Sequence, residues 1–187
     1  GWGGRYVLVR ENTWLDPVPE KGYSYPEGRW YGSNAWGRVS SKKGNTTENS
    51  EAHKEYFKPI WRWSEAFQND FAARADWCVK PFEEANHPPV VKVDKLNVST
   101  KPGSKIQLNA KGTSDPDGDK LNYKWWQYEE ADTFAGSLDI ENSTQQKVSF
   151  TVPSDAKSGE TIHIIVEVSD NGLPQLTRYQ RVVLTIQ

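Results

Sequence analysis

Asp115, Asp117 and Asp119 alternate along the stretch Ser114-Asp115-Pro116-Asp117-Gly118-Asp119. Alternating carboxylates in a tight turn aim several oxygens at one point, which is what a hard cation such as calcium requires. The stretch is no EF-hand: Gly118 stands at loop position 4 instead of 6, and Trp126 stands at position 12, where a bidentate glutamate belongs. The same residues also suit a plain turn, with Asx-type hydrogen bonds and a glycine at positive φ. A second constellation lies just beyond, where Leu121, Tyr123 and Trp125 alternate as in a strand. If Tyr123 and Trp125 face a core, Trp126 and Tyr128 face away from it, with Lys124 on the same side and Asn122 nearby. Aromatic faces stack on sugar rings and polar neighbours bond hydroxyls, so Trp126, Tyr128, Asn122 and Lys124 are the candidate carbohydrate-binding residues. The alternative is that the aromatic pair anchors an interface, where Trp and Tyr are also enriched.

The remaining reactive residue types form no such pattern. His53 lies between Glu51 and Glu55, and His87 and His163 are isolated; His163 alternates with Ile162 and Ile164 and should face outward. Cys78 is the one cysteine, which excludes an intrachain disulfide and a cysteine-built zinc site. It falls on the apolar side of a helical pattern and is expected in the core rather than as a nucleophile. There is no Gly-x-Ser-x-Gly, phosphate loop or dinucleotide fingerprint.

The elements that position these residues differ between the two halves of the chain. Val90 to Val98, Ile106 to Ala110, Leu121 to Trp125, Leu138 to Ile140, Val148 to Val152, Ile162 to Val168 and Val182 to Ile186 read as strands, most with the period-2 alternation of a half-buried sheet. Glycine-bearing turns such as Pro102-Gly103, Asp117-Gly118, Ser158-Gly159 and Asn171-Gly172 separate them. About seven strands in about 100 residues is the arithmetic of an immunoglobulin-like β-sandwich. Before them, Trp63, Phe67, Phe71, Arg74 and Cys78 fall at helical spacing and predict an amphipathic helix over 64–79, with Phe67, Phe71 and Cys78 inward and Pro81 as its stop. Tyr6-Val7-Leu8-Val9 reads as one buried strand, residues 10–39 as an irregular aromatic-rich loop, and residues 40–55 as a polar segment. The expected fold is therefore mostly β, and Asn86-His87-Pro88-Pro89 divides it into domains 1–85 and 86–187, because consecutive prolines make a stiff, extended linker.

Composition excludes several function classes. Among 187 residues, 23 Lys and Arg face 25 Asp and Glu, and neither half has a basic stripe, so no nucleic-acid partner is expected. No apolar run reaches the length of a transmembrane segment. The 9 Trp, 8 Tyr and 6 Phe exclude a simply disordered chain. The absence of methionine and the start at Gly1 read as a processed or excised piece of a larger protein.

Long stretches resemble one known family. They are Trp63-Ser64-Glu65-Ala66-Phe67-Gln68-Asn69-Asp70-Phe71-Ala72-Ala73-Arg74-Ala75-Asp76-Trp77-Cys78-Val79-Lys80-Pro81, Asn86-His87-Pro88-Pro89-Val90-Val91, the aspartate turn, Tyr123 to Ala131, and Asp170 to Tyr179. The chain resembles secreted bacterial proteins described as cellulose-binding, in which a nucleoside-hydrolase-like domain precedes an immunoglobulin-like domain. The resemblance implies that residues 1–85 are the C-terminal remnant of the first domain, with its body upstream. It also implies a secreted, periplasmic or cell-surface location. Nucleoside hydrolases hold calcium with an N-terminal Asp-x-Asp-x-x-x-Asp-Asp cluster, absent here, and with a late His-Asp pair that opens a helix. Asn69-Asp70 resembles that pair, so the resemblance makes Asp70 a metal candidate and puts Asn69 where the histidine stood. An asparagine cannot act as a general acid.

Three functions follow. The chain is expected to be a non-catalytic carbohydrate- or cellulose-binding or accessory module, with a polysaccharide or oligosaccharide and the upstream domain as partners, and with calcium as its one candidate cofactor. The alternatives are a fragment of an N-glycosyl hydrolase, and a purely structural domain that braces the upstream body.

Overall fold

The computed structural model describes the backbone of residues 7–10 and 13–15, and residues 62–187. The aromatic loop beyond Leu15, the polar segment 40–55 and His53 lie outside the described residues. Gly1–Glu65 and Ala66–Gln187 are two compact units. In the first, β1 (Val7–Arg10) pairs antiparallel with β2 (Thr13–Leu15), so Val7 faces Leu15 and Leu8 faces Trp14. The expected single strand is thus half of a hairpin whose second strand falls inside the stretch expected to be irregular. Three residues are too few to show a period.

In the second unit, α1 (Ser64–Trp77), whose first two residues fall in the first unit, precedes six strands: β3 (Asn97–Thr100), β4 (Lys105–Asn109), β5 (Asn122–Gln127), β6 (Lys147–Thr151), β7 (Thr161–Ser169) and β8 (Thr177–Ile186). One sheet has the order β3-β8-β7-β5 and the other pairs β4 with β6. Leu108, Val148 and Phe150 from the small sheet meet Trp125, Ile162, Ile164, Val166, Val168, Val182, Leu184 and Ile186 from the large one in a single core, which makes the unit a two-sheet β-sandwich. Each buried side chain of this size contributes about 1.5–3 kcal/mol, so the alternation along β4 to β8 dictates which face turns inward. Ile106 and Tyr123, also expected in the core, pack against its margin and stay part-exposed.

Six strands form rather than seven. Leu138 to Ile140 makes no strand: Leu138 N is taken by the Gln127 side chain at 2.6 Å, and pairing there is limited to an isolated bridge between Glu141 and Ser149. The Val90 to Val98 run is mostly extended linker, with β3 confined to its end, and β3 runs parallel to β8. The parallel pair is possible because the whole sandwich intervenes between β3 and β8 in the chain.

The helix forms where expected, with Glu65 in its first turn and Arg74 in its last, matching the helix dipole. Its inward face is not the one expected. Ala66, Asp70 and Ala73 are buried and Phe67 is part-buried, whereas Phe71 is 72% exposed and Cys78 is exposed. Small alanines permit close approach, and a paired carboxylate is anchored beside them; large aromatics at helical spacing mislead when the buried side selects for small volume.

Candidate functional site

The outward face of the β5 end of the large sheet carries the four candidate sugar-binding residues. Trp125 is 2% exposed, and its indole Nε1 donates to the Gln145 carbonyl at 2.9 Å. That fixes the phase of β5, so Asn122, Lys124 and Trp126 share the opposite face. Across the ladder Asn122 faces Ser169, Lys124 faces Glu167, and Trp126 faces the buried Ile165. Asn122 and Lys124 are exposed, while Trp126 and Tyr128 are part-buried. The strand stops at Gln127, and Tyr128 takes φ −92° and ψ 75°, outside the extended region. Its N–H donates to the His163 carbonyl at 2.7 Å. The Trp126 and Tyr128 rings are therefore neighbours, with centroids 5.7 Å apart, but meet edge to face at 73°. Strand alternation predicted their adjacency and not their tilt, because alternation ends one residue before Tyr128. His163, on the same outer side of β7, is held below its ordinary pKa by burial and then by Arg181.

Sequence reasoning missed Gln127. Its amide donates to the Asp132 carboxylate at 2.7 Å and to the Gly136 carbonyl at 2.9 Å, and its oxygen accepts from Leu138 N, so it ties the following loop to the end of β5. A lone glutamine at an inward strand position is the one signal that it has a structural partner.

Asp115, Asp117 and Asp119 do converge, with one carboxylate oxygen from each within 4.8 Å of the others. Asp115 Oδ1 accepts from the backbone N–H of Asp117 and Asp119, and Gly118 has φ +81°, as an Asx-type turn requires. Asp115 Oδ2 is shielded and accepts no hydrogen bond. Both Asp117 oxygens are engaged by His87, one by its N–H at 2.6 Å and one by its ring Nδ1 at 3.0 Å. Calcium takes about six to eight oxygens. This turn offers fewer, and it would have to release His87 to offer Asp117. The residues fit a self-bonded turn better than a calcium cage. Adding 1 mM CaCl₂ should leave the melting temperature within about 1 °C, since a ligand far below its Kd adds almost nothing to stability. A rise of several degrees, abolished by Asp119→Asn, would show that the turn does hold the ion.

Asp70 stands apart from that cluster. It lies well inside α1 rather than at its start, 6% exposed. Arg74 Nε donates to its Oδ2 at 2.8 Å, and the Arg178 guanidinium from β8 lies 3.1 Å from its Oδ1. Burial would raise its pKa, but the Arg74 hydrogen bond and the Arg178 charge outweigh burial and hold it below the ordinary value. Both oxygens thus face cations supplied by the protein itself, and the carboxylate ties the helix to β8.

Residues 105–186 match the family model described as cellulose-binding protein Sde0182, C-terminal domain. The match spans β4 to β8 and so contains the whole aromatic face and the aspartate turn. A solved nucleoside hydrolase-related hypothetical protein from Saccharophagus degradans, associated with carbohydrate metabolism, is 44% identical over 68% of this chain, with a TM-score of 0.66. This chain spans 33% of that protein's length. The PKD domain of the KIAA 1837 protein is 15% identical, with 58% of this chain and 90% of that domain covered and a TM-score of 0.35. Human CDH23 is 21% identical, with 54% of this chain and 33% of that one covered and a TM-score of 0.37. Scores that low add nothing to the sandwich read from the strands themselves. No curated protein matches the chain.

Proposed function

We propose that the chain is a non-catalytic carbohydrate-binding module, with cellulose or a related glucan as its ligand, and that it forms the C-terminal part of a larger secreted bacterial protein. The observation that carries this reading is the aromatic pair Trp126 and Tyr128, part-exposed beside Lys124 and Asn122 on the outer face of a domain that matches a cellulose-binding family model. Trp126 supplies apolar contact to a sugar ring, and the polar pair reaches its hydroxyls. Trp126→Ala should reduce retention on insoluble cellulose about tenfold, the effect of losing a tryptophan hot spot. Thermal melts of both proteins check that the variant is folded, and Lys124→Ala, at an exposed position, is the second arm. Equal retention of wild type and both variants would sink the site.

Residues 1–85, on this reading, are the C-terminal remnant of a nucleoside-hydrolase-like domain. The S. degradans relative, described as nucleoside hydrolase-related and about twice as long, supports a parent of that kind. The chain by itself should not hydrolyse nucleosides, because Asp70 is occupied by Arg74 and Arg178 and Asn69 carries no acid function. Turnover of inosine or uridine, lost in Asp70→Ala, would overturn this. The bracing role is favoured by a different observation: Phe71, Val79 and Phe82 are exposed at 72%, 81% and 61%, apolar side chains that a neighbouring domain would gain by covering.

A further inference from the structure

The tilt between the two aromatic rings bears on the physical form of the ligand. A crystalline cellulose face is flat, and a protein grips it best with aromatic rings lying in one plane. Trp126 and Tyr128 lie at 73° to one another. The backbone changes between the two, since the ladder ends at Gln127 and Tyr128 leaves the strand conformation with its N–H donating to the His163 carbonyl. Trp126 stays within the ladder, in register with Ile165. The same face also carries charge. Lys124 is exposed next to Trp126, opposite Glu167. Pressing a flat, uncharged solid onto this row would strip water from both charges, which is costly. A single chain laid along the row leaves them solvated at its edges, where they can bond hydroxyls directly or through water. From Asn122 to Trp126 the row runs about 13 Å at the usual strand rise, long enough for a short oligosaccharide.

We infer that this site takes one separated glucan chain, as in amorphous cellulose or a soluble oligosaccharide, and not the face of crystalline cellulose. The inference rests on the carbohydrate-binding reading above. It is tested by depletion of the full 187-residue chain on phosphoric-acid-swollen and on microcrystalline cellulose, scaled to accessible area, with cellohexaose as competitor. The expected result is roughly tenfold greater retention on the swollen form, displaced by cellohexaose; tenfold corresponds to about 1.4 kcal/mol. Equal or greater retention on the microcrystalline form, or retention on the swollen form that cellohexaose fails to displace, overturns the inference while leaving the carbohydrate-binding reading in place. No retention on either solid, with no heat on titration of cellohexaose, overturns that reading and the inference with it.

Discussion

Replacing Asp170 with alanine is expected to destabilise the Ala66–Gln187 unit by about 3–5 kcal/mol, the range for breaking a buried, charged hydrogen-bond node. Asp170 is fully buried at the end of β7. Its Oδ1 accepts from Leu176 N at 2.8 Å and Gly172 N at 3.1 Å, and its Oδ2 accepts from the Asn86 amide at 3.1 Å. Alanine would orphan these donors together, and the Asn86 amide would keep just its bond to the Pro174 carbonyl. Gly172 is part of the same fit, because a Cβ there would collide with the Asn86 side chain. Asp170→Asn should cost less, since its oxygen can still serve Leu176 and Gly172 while its amide opposes that of Asn86. Burial pushes the Asp170 pKa up more than the donated hydrogen bonds pull it down. A raised folded pKa contributes stability that is present below the unfolded pKa, near 4, and is lost as pH rises through the folded value. The gap between wild type and Asp170→Asn should therefore widen on acidification towards about pH 4. Urea midpoints across that range measure both effects; an alanine cost under about 1 kcal/mol would refute the node.

Trp125→Ala should be as damaging, at about 3–5 kcal/mol, and should lower the melting temperature by on the order of 10–20 °C. Its ring fills the core between the sheets, and its loss leaves a cavity as well as the unpaired Gln145 carbonyl. Trp126, the next residue, is part-buried on the other face, and its removal should cost less than half as much stability while taking the larger share of glucan affinity. Parallel melts and cellulose depletion on the two variants separate the roles. If Trp126→Ala proved the less stable of the two, the assignment of faces on β5 would be wrong.

The sandwich was legible because burial repeats with the pleat: Ile162, Ile164, Val166 and Val168 announce an inner face, and each is buried. The aromatic face followed from the same phase rule. What the sequence concealed depends on partners far along the chain. Asp70 meets Arg178, Asn86 meets Asp170, and His87 meets Asp117 across separations of 108, 84 and 30 residues, which no local period encodes. The helix was misread for a related reason: amphipathic spacing reports where large side chains lie, whereas Ala66 and Ala73 are buried because they are small. Cys78, grouped with the apolar face, lies one residue beyond the helix and outside its buried stripe.

Under tension, the segment between α1 and β3 behaves as a guyed mast rather than a rope. Pro88 and Pro89 stiffen it. Just before them, Asn86 is stayed to Asp170 and Pro174 on one loop and accepts a hydrogen bond from Trp77 of the helix, while His87 is stayed to Asp117 on another. Those two loops are themselves lashed together by the Lys120 N–H donating to Asn171 Oδ1 at 2.7 Å. Just after the prolines, Val90 pairs with Ser114 and Lys92 with Thr113. A pull on the helix thus spreads over several parallel bonds at one end of the sandwich before it loads any single strand. A load applied to the sandwich therefore also sets the angle at which the helix is presented.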